Sequence, residues 1–237
     1  MVKALSAGRS GNRLLNLLPA SEYESIQHLL RKVELSRDQV LYEVRGQIDE
    51  ILFPVTCVLS AVTVMLDGDS IEVATVGNEG ISGLPAFALV TNSPHRVFTQ
   101  IGGGAWKVNA GAINKELERL PKLREIISKY QQAFMFQVSQ CVACNGLHSI
   151  AERCSRWLLM THDRVEDDDL ALTHEFLSYM LGVRRSSVTE VLQSIQQQGL
   201  IRYGKGIITV LNREGLEELA CECYRCVRDE YDRLLSS

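Results

Sequence analysis

Residues 172–198 read LTHEFLSYMLGVRRSSVTEVLQSIQQQ, and this stretch decides the fold of the C-terminal part of the chain. Thr173 suits a helix N-cap, because its hydroxyl can accept a hydrogen bond from a backbone N–H of the first turn. Gly182 permits the left-handed backbone that a tight turn between two helices requires. The second helix carries apolar residues on one face, at Val188, Val191, Leu192 and Ile195. The pattern predicts a helix-turn-helix.

The start of the second helix and the segment after it carry polar and positive side chains. The first turns present Arg184, Arg185, Ser186, Ser187 and Glu190. Residues 199–210 form two apolar runs around a Gly-Lys-Gly tip, which predicts a β-hairpin wing. Between residues 182 and 211, the single carboxylate of Glu190 is outnumbered by four cations: Arg184, Arg185, Arg202 and Lys205. This stretch is therefore locally positive, although the whole chain has a net charge of −4. The order of these elements predicts double-stranded DNA as the partner, rather than a generic helical hairpin with a surface ribbon.

Upstream, the sequence changes from helical to β periodicity. Residues 12–34 have helical spacing, with an entry to a second helix at Pro19. Residues 39–109 contain six short β-branched runs separated by turn residues, and Asp67-Gly68 predicts a hairpin. Many short strands at this spacing are typical of a sandwich or barrel. We therefore expect an α+β chain.

A long helix is predicted from Pro121. Leu123, Ile127, Tyr130, Phe134, Gln137, Cys141, Cys144 and His148 recur at alternating spacings of four and three. This spacing is typical of a coiled-coil seam and predicts a homodimer. The alternative is a helix docked on its own domain. The acidic run at 163–169 is expected to be an exposed linker without a metal role.

These features together resemble the cAMP receptor protein/FNR superfamily of transcription regulators, from residue 12 to Tyr231. The stretches that carry the resemblance are EILFPVTCVLSAV, VATVGNEGISGLPAF, CNGLHSIAERCSRWLLMTHDRV, LTHEFLSYMLGVRRSSVT and CECY. The resemblance implies a β-roll (a jelly roll like a cyclic-nucleotide-binding domain) at 12–120 and a dimerisation helix at 121–147. It also implies a winged helix-turn-helix at 148–214, followed by a C-terminal helix at 215–237.

The resemblance also implies roles for individual residues at the DNA. Arg185 matches the arginine that reads guanine through a bidentate contact. Ser186 replaces the usual glutamate, and Glu190 replaces a later arginine, so the DNA target is expected to differ from that of the cAMP receptor protein. Thr173, Ser187, Arg202 and Lys205 complete the predicted DNA-binding set. RNA polymerase is a further expected partner.

The phosphate-binding cassette of the superfamily corresponds to residues 77–83 and the positions after them. The Gly-Glu step reads Gly83-Leu84 here, and Pro85 lacks a backbone N–H. Arg96 could hold an anion if the alignment shifts by one, with Gly80 and Gly83 as backbone partners. Because the ribose-binding carboxylate is missing, we expect that cyclic-nucleotide binding is lost.

The spacing of the cysteines and histidines indicates no metal or cofactor. Cys141-x-x-Cys144 falls on the predicted dimer helix, and Cys221-x-Cys223-x-x-Cys226 falls near the C-terminus, so packing is favoured over ligation for both groups. The five histidines show no metal-binding spacing. A small-molecule or redox sensor acting through the β-roll and cysteines stays open as an alternative to the regulator, and a metal-dependent enzyme has little support.

Composition adds a broad class. The chain has 237 residues, of which 46% are hydrophobic and 23% charged, as in an ordinary globular protein. No apolar run approaches the roughly 18–20 residues of a membrane helix. The start of the chain has no secretory signal pattern. We therefore expect a cytoplasmic protein with reduced thiols and no membrane partner.

Overall fold

The computed structural model describes residues 10–236. Its N-terminal part contains two sheets, with strand orders β1-β7-β3 and β2-β6-β4-β5. The strands are Arg31–Leu35 (β1), Val40–Tyr42 (β2), Glu50–Pro54 (β3), Val58–Val64 (β4), Ser70–Val76 (β5), Arg96–Ile101 (β6) and Gly103–Asn109 (β7). All paired strands are antiparallel. Side chains from both sheets fill one core, as expected for the predicted β-roll.

The hairpin signal at Asp67-Gly68 is confirmed, since β4 pairs with β5 across it and Gly68 has φ +93°. The helical interpretation of residues 12–34 is wrong at its end. Two short helices, Arg13–Asn16 (α1) and Ala20–Gln27 (α2), precede β1, which begins at Arg31. The physical reason is pairing: β1 gains a complete antiparallel ladder with β7, and local periodicity cannot reveal that partner.

A short 3-10 helix, Leu84–Ala88, follows the cassette region. After β7, helix Ala110–Glu116 (α3) and a second 3-10 helix, Leu117–Arg119, connect the β-roll to the long helix Pro121–Leu147 (α4). The Glu22 carboxylate caps α4 from α2, accepting from Lys122 N and Leu123 N, both at 3.0 Å. The chain then breaks at His148, which has an extended backbone (ψ 151°).

The face of α4 that carries the predicted dimer seam is buried within the protomer. Leu123, Ile127, Tyr130 and Cys141 are buried, and Phe134 is half-buried. Helix α4 packs against the C-terminal helix Cys223–Leu235 (α9) and strand β5. Tyr130 contacts Tyr231 of α9 with ring centroids 6.1 Å apart. Burial within the protomer contradicts the predicted dimer interface at Leu123, Ile127, Tyr130 and Cys141, where the alternative of a helix docked on its own domain holds. For the half-buried Phe134 the interface stays a prediction.

The C-terminal part has its own core. Its helices are Ile150–His162 (α5), His174–Leu181 (α6), Arg185–Gln197 (α7) and Arg213–Leu219 (α8), and a sheet of order β8-β10-β9 is formed by Asp169–Leu170 (β8), Ile201–Gly204 (β9) and Ile207–Val210 (β10). The predicted single C-terminal helix is divided into α8 and α9, because the backbone is extended at Ala220 (ψ 150°).

The prediction of an exposed linker at 163–169 is partly wrong, because Arg164 is buried and Asp163 binds Arg213 and Tyr224.

Among residues 10–236, none of the helices has the length and apolar character needed to cross a membrane.

Candidate DNA-binding interface

The helix-turn-helix consists of α6, a turn at Gly182, and α7. The Thr173 hydroxyl caps α6 by accepting from Phe176 N at 3.1 Å. Gly182 has φ +61°, and a Cβ there would lie 2.8 Å from Ile71 Cδ1, so both the backbone and the packing require glycine. Apolar residues bury the inner face of α7, at Val188, Leu192 and Ile195. The sequence correctly predicts this supersecondary structure.

The start of α7 points polar and positive groups outward. Arg185 is its first residue and Arg184 is its N-cap, without a side-chain capping bond. Arg184, Arg185, Ser186 and Glu190 are exposed, and Ser187 is half-buried. A helix N-terminus that lacks a side-chain cap attracts anions, because its backbone N–H groups and dipole favour negative charge. This end of α7 can therefore receive nucleic-acid phosphates as well as base edges.

The wing is a tight hairpin. Gly204 pairs with Ile207 across a two-residue turn in which Lys205 (φ +53°) and Gly206 (φ +77°) both have positive φ, as a type I′ turn requires. Lys205 is exposed at the tip, and Arg202 is exposed on β9. Within the described part of the chain, neither Lys205 nor Arg202 forms an ion pair, so both cations are available to a phosphate backbone.

Three side chains that sequence reasoning did not identify connect the wing to the two helices. His174 Nδ1 lies 2.8 Å from Thr189 Oγ1 of α7, and the His174 ring stacks on Tyr203 with centroids 4.2 Å apart. Gln196 accepts a hydrogen bond from Tyr203 N at 2.7 Å. Burial, with the charge of Arg185, lowers the pKa of His174. These contacts fix the wing relative to α7, and no residue spacing in the sequence signals them.

The β-roll contains a cavity of about 310 Å³ that is mostly apolar. Gly83 lines it, with φ +94°. Gly80 does not line it, because its Cα faces Tyr130 and a Cβ there would lie 2.3 Å from the Tyr130 hydroxyl. Arg96 is also outside the cavity. Strand alternation turns its side chain to the surface, where its Nε lies 3.6 Å from Glu43.

The cavity is closed on one side by α4. Gln131, Phe134 and Met135 line it from that helix, and His95 and Pro85 line it from the β-roll. No local pattern in the sequence signals this cavity, because the side chains that line it come from separate parts of the chain. Any molecule held in the cavity would touch the long helix as well as the β-roll.

The DNA-binding part of the chain, which comprises helices α5 to α8 and strands β8 to β10, packs against the β-roll through side-chain contacts. Trp157 Nε1 of α5 donates to Glu72 Oε2 of β5 at 2.5 Å. Phe176 of α6 meets Phe98 of β6 edge to face, with centroids 6.2 Å apart. The two halves of the chain therefore share a packed junction beside the helix-turn-helix.

Comparison with known proteins agrees with this geometry. Residues 152–219 match the Crp-like helix-turn-helix domain. A transcriptional regulator assigned to the Crp/Fnr family from Eubacterium rectale shares the fold with a TM-score of 0.68 at 17% identity, over 87% of this chain and 96% of that chain.

Two further solved structures have the same architecture. FixK2 from Bradyrhizobium japonicum has a TM-score of 0.66 at 16% identity, over 81% of this chain and 98% of that chain. TTHB099, a Crp-family transcriptional regulator from Thermus thermophilus, has a TM-score of 0.66 at 17% identity, over 80% of this chain and 96% of that chain. No curated protein matches the sequence significantly.

Fold and site together define a DNA-binding helix-turn-helix protein with a cyclic-nucleotide-binding-like domain. Residues 152–219 match the Crp-like helix-turn-helix domain family, and the chain as a whole has the fold of Crp/FNR-family transcription regulators, as its sequence motifs predict.

Proposed function

We propose that this protein regulates transcription as a homodimer that binds a near-palindromic promoter site and does not require cAMP. The observation that carries the proposal is the exposed start of α7, where Arg184 and Arg185 stand beside a wing tipped by Lys205. Arg185 reads a base and Lys205 contacts phosphate in this arrangement. RNA polymerase, which acts at promoters, is a proposed further partner.

Dimerisation is supported by a stripe on α4 that is distinct from the buried seam. Met135, Val138 and Val142 follow one another at spacings of three and four, on a face rotated by about 100° from Leu123 and Tyr130. Met135 is 54% exposed and Val142 is 70% exposed. Val138 between them is half-buried against the protomer core. Exposed apolar side chains two turns apart on one helix face favour pairing with a second helix. We propose that two copies of this stripe meet about a two-fold axis.

Independence from cAMP is supported by the chemistry of the β-roll cavity. Neither an arginine nor a carboxylate lies among the described residues that line it. A cyclic phosphate needs a cationic or N–H partner, and a ribose hydroxyl needs an acceptor such as a carboxylate. Pro85 removes one N–H from the 3-10 helix at this position. The cavity therefore suits a smaller, less polar molecule better than a cyclic nucleotide.

The test is selection of DNA by the purified full chain from sheared genomic fragments of the source organism, followed by sequencing. We expect enriched fragments to share an inverted repeat whose half-sites lie about one helical turn apart, because each subunit inserts one α7 into successive major grooves. The matched control is Arg184→Ala with Arg185→Ala, which removes two exposed cations and leaves the core intact. If wild type enriches no motif beyond this control, the proposed function is wrong.

A further inference from the structure

Four side chains with metal-binding atoms meet where α4 ends and α9 begins. Cys144 lies in the last turn of α4, His148 directly follows that helix, and Cys221 and Cys223 stand at the start of α9. One ligand atom from each lies within 4.8 Å of every other. The three thiols are buried and the histidine is half-buried. The sequence alone favours packing for these cysteines, because Cys144 falls on the predicted seam of the long helix. The fold brings Cys144 to Cys221, which lies 77 residues further along the chain.

The spacing of the donors fits one tetrahedral ion. Cys144 Sγ lies 3.5 Å from Cys221 Sγ, and Cys223 Sγ lies 3.5 Å from His148 Nδ1. With Zn–S bonds of about 2.3 Å and Zn–N bonds of about 2.0–2.1 Å, two donors on the same zinc lie about 3.6–3.8 Å apart. We propose that Cys144, His148, Cys221 and Cys223 bind a single zinc-type metal ion.

The donor set selects the class of metal. Three thiolates and one imidazole form a closed structural zinc set, whereas Mg²⁺ and Ca²⁺ require oxygen ligands. An iron–sulfur cluster distributes its protein ligands over several iron atoms, which spreads them further apart than donors sharing one ion. The compact arrangement of these four atoms therefore favours one ion, and all four positions are taken by protein ligands.

Neighbouring side chains are placed to support the ligands. His148 directs Nδ1 to the thiols and Nε2 to the Glu222 carboxylate, 3.2 Å away. A carboxylate on the second ring nitrogen fixes the tautomer and orientation of a metal-binding histidine. Gln140 Nε2 donates to Cys223 Sγ at 3.1 Å, which favours the thiolate. The cluster thus has a second layer of polar contacts that apolar packing of cysteines does not require.

The charge around the cluster is also suitable. Arg156 is buried, and its Nη1 donates to Cys141 Sγ at 3.5 Å and to Met160 Sδ at 3.2 Å. Its Nε has no hydrogen-bond partner within the described residues. A buried cation needs compensating negative charge. Three thiolates around a divalent ion leave one negative charge, which the neighbouring Arg156 guanidinium balances.

The position of the cluster gives the ion a structural consequence. Cys144 lies in the last turn of α4 and His148 is its C-cap, while Ser149 caps α5. Cys223 is the first residue of α9, and Cys221 precedes that helix by two residues. A bound ion therefore joins the long helix to α9 at the joint from which the DNA-binding part extends. Because metal binding contributes directly to folding free energy, the loaded protein is expected to have the higher Tm.

The first experiment uses the full-length wild type, expressed in zinc-supplemented medium and purified with a reductant. We expect elemental analysis to give about one zinc per chain. After chelation, Co²⁺ titration is expected to give the visible ligand-field absorption of a tetrahedral thiolate site, saturating at one equivalent and displaced by Zn²⁺. Absence of zinc together with absence of this absorption would overturn the proposal without any variant. It would leave the proposed DNA function untouched, because no DNA is present.

Variants then test the ligands. Cys221→Ser and Cys223→Ser are expected to bind less than a tenth of the wild-type zinc, with folding checked by circular dichroism. Cys226→Ser is the matched control, since Cys226 is an exposed thiol of the same helix outside the cluster. Glu222→Gln is expected to weaken metal binding about 10–100-fold. Full zinc in Cys221→Ser, or a Cys144–Cys221 disulfide in metal-free wild type purified with the reductant, would contradict the proposal.

Discussion

Arg164, directly after α5, donates from Nε and Nη2 to Glu79 Oε1 of the β-roll, at 3.0 and 2.7 Å. Both side chains are only 8% exposed. The contact therefore joins the cassette region of the β-roll to the DNA-binding part through a desolvated ion pair. Gly77 belongs to the same contact, because a Cβ there would lie 2.6 Å from Arg164 Cγ.

Breaking this pair should be costly. Glu79→Gln leaves the Arg164 guanidinium buried without its carboxylate, so we expect a loss of about 3–5 kcal/mol of unfolding free energy. Glu79→Gln combined with Arg164→Met removes both charges and should lose less than the single variant. Urea unfolding of wild type, both single variants and the double variant measures this coupling. A double variant less stable than Glu79→Gln would contradict the assignment.

A second buried carboxylate predicts a pH effect on stability. Burial raises the pKa of Glu72 above its ordinary value of 4.5. The folded protein therefore binds this proton more tightly than the unfolded chain, and the stabilisation is complete below the ordinary pKa and lost as pH rises through the folded pKa. Glu72→Gln keeps an acceptor for Trp157 Nε1 and cannot ionise.

We expect the stability of Glu72→Gln relative to wild type to increase as pH rises above the ordinary carboxyl pKa of 4.5 and through the higher pKa of folded Glu72. Denaturant unfolding at a series of pH values above 4.5 measures the difference, and Glu118→Gln, at an exposed position, is the control substitution. A difference that is constant with pH would show that Glu72 does not titrate in this window.

At the DNA, Arg185 and Lys205 should behave differently. Arg185→Ala is expected to lose about 1–3 kcal/mol on the selected site and to relax preference at one base pair per half-site. Lys205→Ala is expected to weaken all sequences about equally and to reduce the salt slope by roughly one per subunit. Competition titrations with selected and scrambled duplexes at several salt concentrations separate the two effects. An unchanged selectivity ratio in Arg185→Ala would remove it as a base-reading residue.

The two faces of α4 give opposite predictions for substitution by aspartate. Met135→Asp with Val142→Asp places charges on the exposed stripe and should give folded monomers. Tyr130→Asp places an unpaired charge in the protomer core, where Tyr130 is fully buried, and should destabilise folding by several kcal/mol. Sedimentation and circular dichroism distinguish these outcomes. If wild type is itself monomeric at micromolar concentration, dimerisation through this stripe is wrong.

The β-roll cavity should not respond to cAMP. We expect calorimetry to detect no saturable binding at millimolar nucleotide, because neither an arginine nor a carboxylate lines the cavity among residues 10–236. We also expect the affinity for the selected DNA site to stay the same with and without cAMP. A cAMP-dependent member of the superfamily serves as the positive control, and saturable micromolar binding here would disprove the prediction.

The sequence by itself determined the features that depend on local conformation. Gly182 allows the turn between α6 and α7, and the Lys205-Gly206 pair gives the wing its tight turn. The same is true of the β4–β5 hairpin and of the helix that begins at Pro121. In each case, steric limits on φ and ψ and the period of apolar residues act over a few neighbours, so one stretch of sequence contains the whole signal.

Only the tertiary structure decided which surfaces those elements bury. The spacing at Leu123 and Tyr130 predicts an apolar helix face and favours a partner subunit, but both side chains are buried within the protomer and Tyr130 contacts Tyr231 of α9. Arg164, within an acidic run, is buried because Glu79 lies opposite it. Cys144 likewise contacts Cys221 because the fold brings the end of α4 next to the start of α9. Contacts of this kind depend on long-range packing between segments, and residue periodicity along one segment contains no information about its partner.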